Sequence, residues 1–173
     1  LGGNAIPIQL PIGAEDLFEG IIDLVEMKEY LFKDETMGAD YDVVEIRAEL
    51  LDKAKEAREK MIEAIVETDD ALMEKFFGGE EIIPAEVKKA LRTATIENII
   101  VPVTCGTAFK NKGIQPLLDA VVAYMPSPLD IGAVKGTDVR TGADLTREPK
   151  DEEKFSALAF KIITDTFVGK LAF

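Results

Sequence analysis

The chain has 173 residues, of which 47% are apolar, enough for a packed core and too many for a tail disordered throughout. A formal charge of −13 excludes a general nucleic-acid or membrane surface, because phosphates and anionic lipids repel such a chain. The single cysteine, Cys105, has no internal partner, which favours a reducing compartment and the role of a small buried residue.

In chain order, the run AIPIQLPIG and the segment GIIDLVEMKEYLF, divided by a polar turn around Glu26, predict strands of a small antiparallel sheet. Over residues 48–70 the period becomes helical, with Leu50, Ala54, Ala57, Met61 and Ile65 recurring every three or four positions. DDALMEKFF predicts a short second helix that stops at Gly78 and Gly79, residues able to take the left-handed conformation. PAEVKKALRTATIEN predicts a third, with Pro84 in its first turn. The β-branched run at 99–103 then breaks at Gly106 into the polar loop VTCGTAFKNKG, and an amphipathic helix follows from about Ile114. A strand, loop and helix of this kind can present backbone N–H groups to a nucleotide base.

Charge is divided unevenly. Residues 1–100 hold 24 acidic and 11 basic side chains, and the remainder hold 9 of each, which suggests two units with different partners. Projected at about 100° per residue, Asp52, Glu56, Glu59, Glu63 and Glu67, with Asp70 if the helix reaches it, fall within an arc of roughly 80°. Like charges four residues apart repel by a few tenths of a kcal/mol each. A helix optimised only for its own stability would alternate signs, so the stripe reads either as a solvated face or as a dock for a basic partner, with Glu59, Glu63, Glu67 and Asp70 as its contacts.

Two motifs fail on chemistry. DETMGADYDVVE has Asp34 and Glu45 at the ends of a twelve-residue calcium loop, but Ala39 stands where the sharp turn needs glycine, and Thr36 and Gly38 bring no carboxylate. NKGI, beginning at Asn111, opens like the guanine-specifying N-K-x-D, yet Ile114 accepts no hydrogen bond. Nor is there a G-x-x-x-x-G-K-[ST] phosphate loop, and without histidine the most usual general base is missing. No catalytic residue and no metal ligand is assigned. No run approaches the roughly 18 apolar residues of a membrane span, and no basic leader precedes an apolar stretch, so a cytoplasmic protein is expected. Leu1 in place of Met, and an apolar run ending at Phe173, read as cut ends.

CGTAFKNKGIQPLLDAVVAYMPSPLD resembles the elongation factor G family of translational GTPases, as do NAIPIQLPIGAEDLFEGIIDL, LMEKFFGGEE and FSALAFKIITDTFVGKLAF, in the family's order. Residues 131–154 carry the least of the likeness, and Thr166 departs from a proline usual in the family. The resemblance implies an α/β fragment of a Rossmann-like P-loop GTPase domain. Residues 1–12 would be a strand region of that domain and 13–97 an inserted acidic subdomain with a small antiparallel sheet plus helices. Residues 98–130 would be its last strand, guanine loop and helix, 131–154 a linker, and 155–173 the start of a β-barrel domain. It further implies that Thr107, Ala108 and Phe109 form the base loop for GTP or GDP, with the Ala108 N–H facing guanine O6. Magnesium ligands, switches and phosphate loop would lie upstream, so the segment alone is not expected to be catalytic. The implied partners are the ribosome and the C-terminal domain of its stalk protein, the latter at the acidic face. The residues leave two rivals open: an acidic interaction module that never meets nucleotide, and a recycling or ribosomal-protection paralogue.

Overall fold

The computed structural model describes residues 3–36 and 38–173. The start of the 1–12 strand region, Leu1 and Gly2, lies outside them. It is a mixed α/β structure with several small sheets, in two compact units that divide after Met125.

In the first unit, β1 (Asn4–Pro7) and β2 (Gln9–Ile12) are one apolar run broken at Ile8. The break lets them serve different sheets. β2 joins β3 (Gly20–Asp23), β4 (Lys28–Phe32) and β5 (Tyr41–Glu45) in an antiparallel sheet of order β2-β3-β4-β5. The polar turn expected near Glu26 is closed by Asp23, whose carboxylate accepts from the N–H groups of Val25 at 2.8 Å and Glu26 at 2.9 Å. β1 instead pairs in parallel with β6 (Ile100–Val103), with Ala5 opposite Val101.

Three helices separate those partners in sequence. α1 (Ala48–Val66) buries Ala54, Met61 and Ile65 of the predicted period, with Ile62 and Val66 beside them, while Leu50 and Ala57 pack half-buried against the same core. It stops there, and this corrects the reach of the acidic face. Asp69 accepts hydrogen bonds from the N–H groups of Ala71 and Leu72, at 3.0 and 3.1 Å, and so caps a new helix, α2 (Asp70–Phe77). Asp70 therefore opens α2 and does not extend the α1 stripe. α2 closes through Gly78 in right-handed conformation, and only Gly79, at φ +70°, is left-handed. α3 (Pro84–Ile96) starts at proline, and Glu86 accepts from the Ile83 N–H at 3.2 Å. Helix α4 (Ile114–Tyr124) follows β6, and the main core joins Ile6, Ile8, Leu24, Met61, Ile65, Leu91 and Ile100.

The second unit differs from its expected description. Residues 131–154, read as a linker, hold the antiparallel hairpin β7 (Val134–Thr137) and β8 (Asp144–Arg147) behind the short helix α5 (Pro128–Ile131). Residues 155–173, expected as the start of a β-barrel domain, form a second hairpin, β9 (Ile162–Asp165) with β10 (Gly169–Ala172). Asp165 shapes its turn by accepting from the Phe167 and Val168 N–H groups at 2.8 and 2.9 Å. No residue of 126–173 is buried. Phe155, Leu158, Phe160, Phe167 and Val168 are all exposed.

Candidate functional site

The loop after β6 is shaped by a crossing of glycines. A Cβ on Gly106 would stand 2.7 Å from the Lys112 carbonyl, and one on Gly113 would stand 2.9 Å from that of Cys105. Gly113 also has φ +89°, a conformation that strains any residue with a side chain. Between the glycines, Thr107 and Lys112 exchange backbone hydrogen bonds at 2.9 and 3.1 Å and pinch the loop shut. The residues beyond the pinch, Ala108–Lys110, form one 3-10 turn, closed by Asn111 at φ +53°.

Of the expected base loop, Ala108 and Phe109 thus lie on one turn and Thr107 caps it, beyond the carboxyl end of a parallel strand. Ala108 opens that turn, where an N–H has no acceptor within the turn, and it donates to none of the described residues. Its neighbour Phe109 is fully exposed. Thr107 is half-buried and its backbone carries the pinch.

Side chains that sequence reasoning passed over hold this loop. The Cys105 N–H donates to Gln9 Oε1 at 3.2 Å, fastening the loop's first half to β2. Lys110 Nζ reaches the Asp16 carbonyl at 3.1 Å, and Gln115 Nε2 donates to the Ala39 carbonyl at 3.0 Å. Lys112 is buried, with its Nζ bonded to the Phe18 carbonyl at 3.1 Å and paired with Asp34 Oδ1 at 2.6 Å. That lysine holds the exposed Asp34 carboxyl below its ordinary value, first through the hydrogen bond and then through its charge. A lysine next to glycine reads as surface, and no local pattern marks it as buried; only the two sheet turns that close over it do so. Cys105 lies in this neck, where burial pushes its thiol up to about 11, so it stays protonated and unreactive near neutral pH.

Glu59 and Glu63 are exposed on α1, as are Asp52 and Glu56, while Glu67, also exposed, is the cap residue just past its end. Lys60 Nζ pairs with Glu56 at 2.6 Å, which lowers the Glu56 carboxyl and interrupts the stripe at one edge. Asp70 is exposed on its own helix. The acidic residues and the loop belong to different elements and form no joint cluster. Among the described residues no group of three or more His, Cys, Asp or Glu could hold a metal ion. No helix among them is long and apolar enough to cross a membrane.

One further cavity, of about 570 Å³, lies between the antiparallel sheet and α4, lined by Gln9, Asp23, Tyr30, Lys88 and Tyr124 among others. Burial raises the Asp23 carboxyl above its ordinary value and pushes the Tyr124 hydroxyl up to about 12.

No family model matches the chain. In fold it is similar to a crystal structure of a protein from Thermus thermophilus, with a TM-score of 0.68, 25% identical residues and 97% of this chain covered. The match takes in 22% of that longer protein, so the chain spans about a fifth of its neighbour's length.

Proposed function

We propose that the chain is an internal segment of a translational GTPase similar to elongation factor G, the ribosomal translocase that couples GTP binding and hydrolysis to movement of tRNA and mRNA. In this reading β1 and β6 belong to a Rossmann-like P-loop sheet whose other strands, phosphate loop, switches and magnesium ligands lie in the rest of the polypeptide. Strands β3 to β5 with α1, α2 and α3 are the inserted subdomain of residues 13–97, β2 from the 1–12 strand region completes its sheet, and the β9–β10 hairpin begins a β-barrel.

The observation that carries the reading is the open Ala108 N–H at the carboxyl end of a strand in a parallel pair. Parallel sheets bind ligands beyond the carboxyl ends of their strands. A fixed N–H there satisfies the O6 acceptor of guanine, whereas adenine presents an amino group and leaves the donor unpaired. Apolar side chains left in solvent beside the pair, namely Val101 on β6 and Leu118 and Val122 on α4, favour further layers supplied by the same protein. Glu59, Glu63 and Glu67 supply the docking face for a basic surface of the ribosomal stalk protein's C-terminal domain.

The test is made on the longer reading frame. Its upstream sequence is expected to contain a phosphate loop and an N-K-x-D motif, and the full protein to bind GDP and not ADP in a calorimeter. The 173-residue chain alone is expected to bind GDP weakly or not at all. A full protein indifferent to GDP overturns the reading. If it also binds a basic ribosomal protein, the acidic interaction module replaces it. Translocation assays against ribosome-splitting assays separate the translocase from a recycling paralogue.

A further inference from the structure

Among the described residues Lys112 is the one buried lysine, and its position is unusual in what it joins. Its backbone holds Thr107 through both hydrogen bonds of the pinch, one residue from Ala108. Its side chain, only 4% exposed, ends between two turns of the antiparallel sheet, bonded to the Phe18 carbonyl at 3.1 Å and to Asp34 Oδ1 at 2.6 Å. Phe18 follows the short turn Glu15–Leu17 between β2 and β3, and Asp34 opens the turn Asp34–Thr36 between β4 and β5. A buried ammonium is costly unless paired and hydrogen-bonded, so this side chain has essentially one place to be. The backbone of Gly38 packs on the same strip of loop, where an added Cβ would lie 2.6 Å from the Lys110 carbonyl.

We propose that Lys112, held by Asp34 and the Phe18 carbonyl, is a positioning residue that sets the Ala108 N–H for the base and so determines selectivity for the 6-oxo group. This rests on the reading of Thr107–Phe109 as a guanine loop. The inserted sheet is then part of the base site without touching the base. Its two turns fix Lys112, Lys112 fixes Thr107, and Thr107 fixes the first N–H of the 3-10 turn. A donor aimed in advance gains a full hydrogen bond on binding, while a loosely held one must first be ordered.

Two nucleotides test the effect: GDP, and the diphosphate of 2-aminopurine riboside, which lacks the 6-oxo group and with it the N1 proton; the N1 change meets the same partners in every variant, so a change of preference between variants reports on the 6-oxo group. In the full-length protein Lys112→Met, which keeps length and loses the ammonium, is expected to cut the preference for GDP about tenfold, the equivalent of one hydrogen bond. Affinity for the 2-aminopurine nucleotide should stay within about twofold. Asp34→Ala is expected to act in the same direction, about threefold, and carries the test if the methionine variant does not fold, since Asp34 is largely exposed. An unchanged preference in the folded variants, or equal weakening of both nucleotides, overturns the proposal and returns Lys112 to a purely structural role. A wild-type protein that binds neither nucleotide removes the guanine reading itself, and the proposed positioning with it.

Discussion

The charges held within the antiparallel sheet and its turns and those on the outward face of α1 are charged side chains under opposite conditions. Lys112 and Glu29 are drawn out of solvent: Lys112 pairs with Asp34, and Glu29, fully buried, accepts from the Arg47 N–H at 2.7 Å and from Arg47 Nε at 2.9 Å. On α1, Glu59 and Glu63 stand in water, as does Glu67 at its cap. A buried ion fixes geometry, because its alternatives are all costly, whereas an exposed ion is free to meet a partner and contributes little to the fold. The rim of the antiparallel sheet is therefore where charge holds structure, and the helix face is where charge is available for encounter.

Four experiments can break or sharpen this contrast. The largest effect is expected from Arg47→Met, which takes the guanidinium from the buried Glu29 carboxylate and leaves it the Arg47 backbone N–H; a loss of about 3 kcal/mol in urea unfolding is expected. A loss below about 1 kcal/mol would place the Glu29 charge outside the category of buried ions that hold the fold. Next comes Gly38→Ala, which combines a left-handed φ of +72° with a clash against the Lys110 and Asn111 backbone. About 1 to 3 kcal/mol is expected, measured by the same method.

A smaller effect concerns Asp34. Its carboxyl is lowered from 3.8 by Lys112, so its pairing contributes fully above the unfolded value and is lost as the pH falls through the lower, folded one. Carboxyl-carbon NMR should show a midpoint below 3.8 that moves back toward 3.8 in Lys112→Met. A midpoint unmoved by that substitution would dissolve the pair. The smallest effect on the fold is expected from Glu63→Lys with Glu67→Lys, within about 0.5 kcal/mol. Association of the full protein with ribosomes should nonetheless slow at low salt and recover as salt rises, read by stopped flow. An unchanged rate at low salt would make the helix face an ordinary solvated surface.

Much of the local structure could be read in the residues. The helical period of α1, the proline start of α3, the break at Gly106 and the turn near Glu26 all stand where the sequence places them, because capping, periodicity and turn chemistry act over a few positions. The misreadings are also local in origin. A continuous acidic period hid the helix boundary at Asp69, whose side chain serves equally as one more negative charge or as a cap. Polar composition hid the β7–β8 hairpin, since a strand with no buried face has no alternation to show.

Alone, the sequence determined helices α1 to α4, strands β2 to β4, the charge division and the stretch from Thr107 to Phe109 as a loop, each from interactions within a few residues, while β5, α5, β7 and β8 were not legible in it. Tertiary structure decided which strands share a sheet. β1 and β2 are consecutive in sequence yet part company at Ile8, and β1 finds β6 across three helices. It also decided that Lys112 is buried while the α1 carboxylates are not. That depends on the turns beginning at Glu15 and Asp34 arriving together over one lysine, nearly eighty residues after the nearer of them. Burial of a charge is a property of the elements that surround it, and a chain read one window at a time does not contain them.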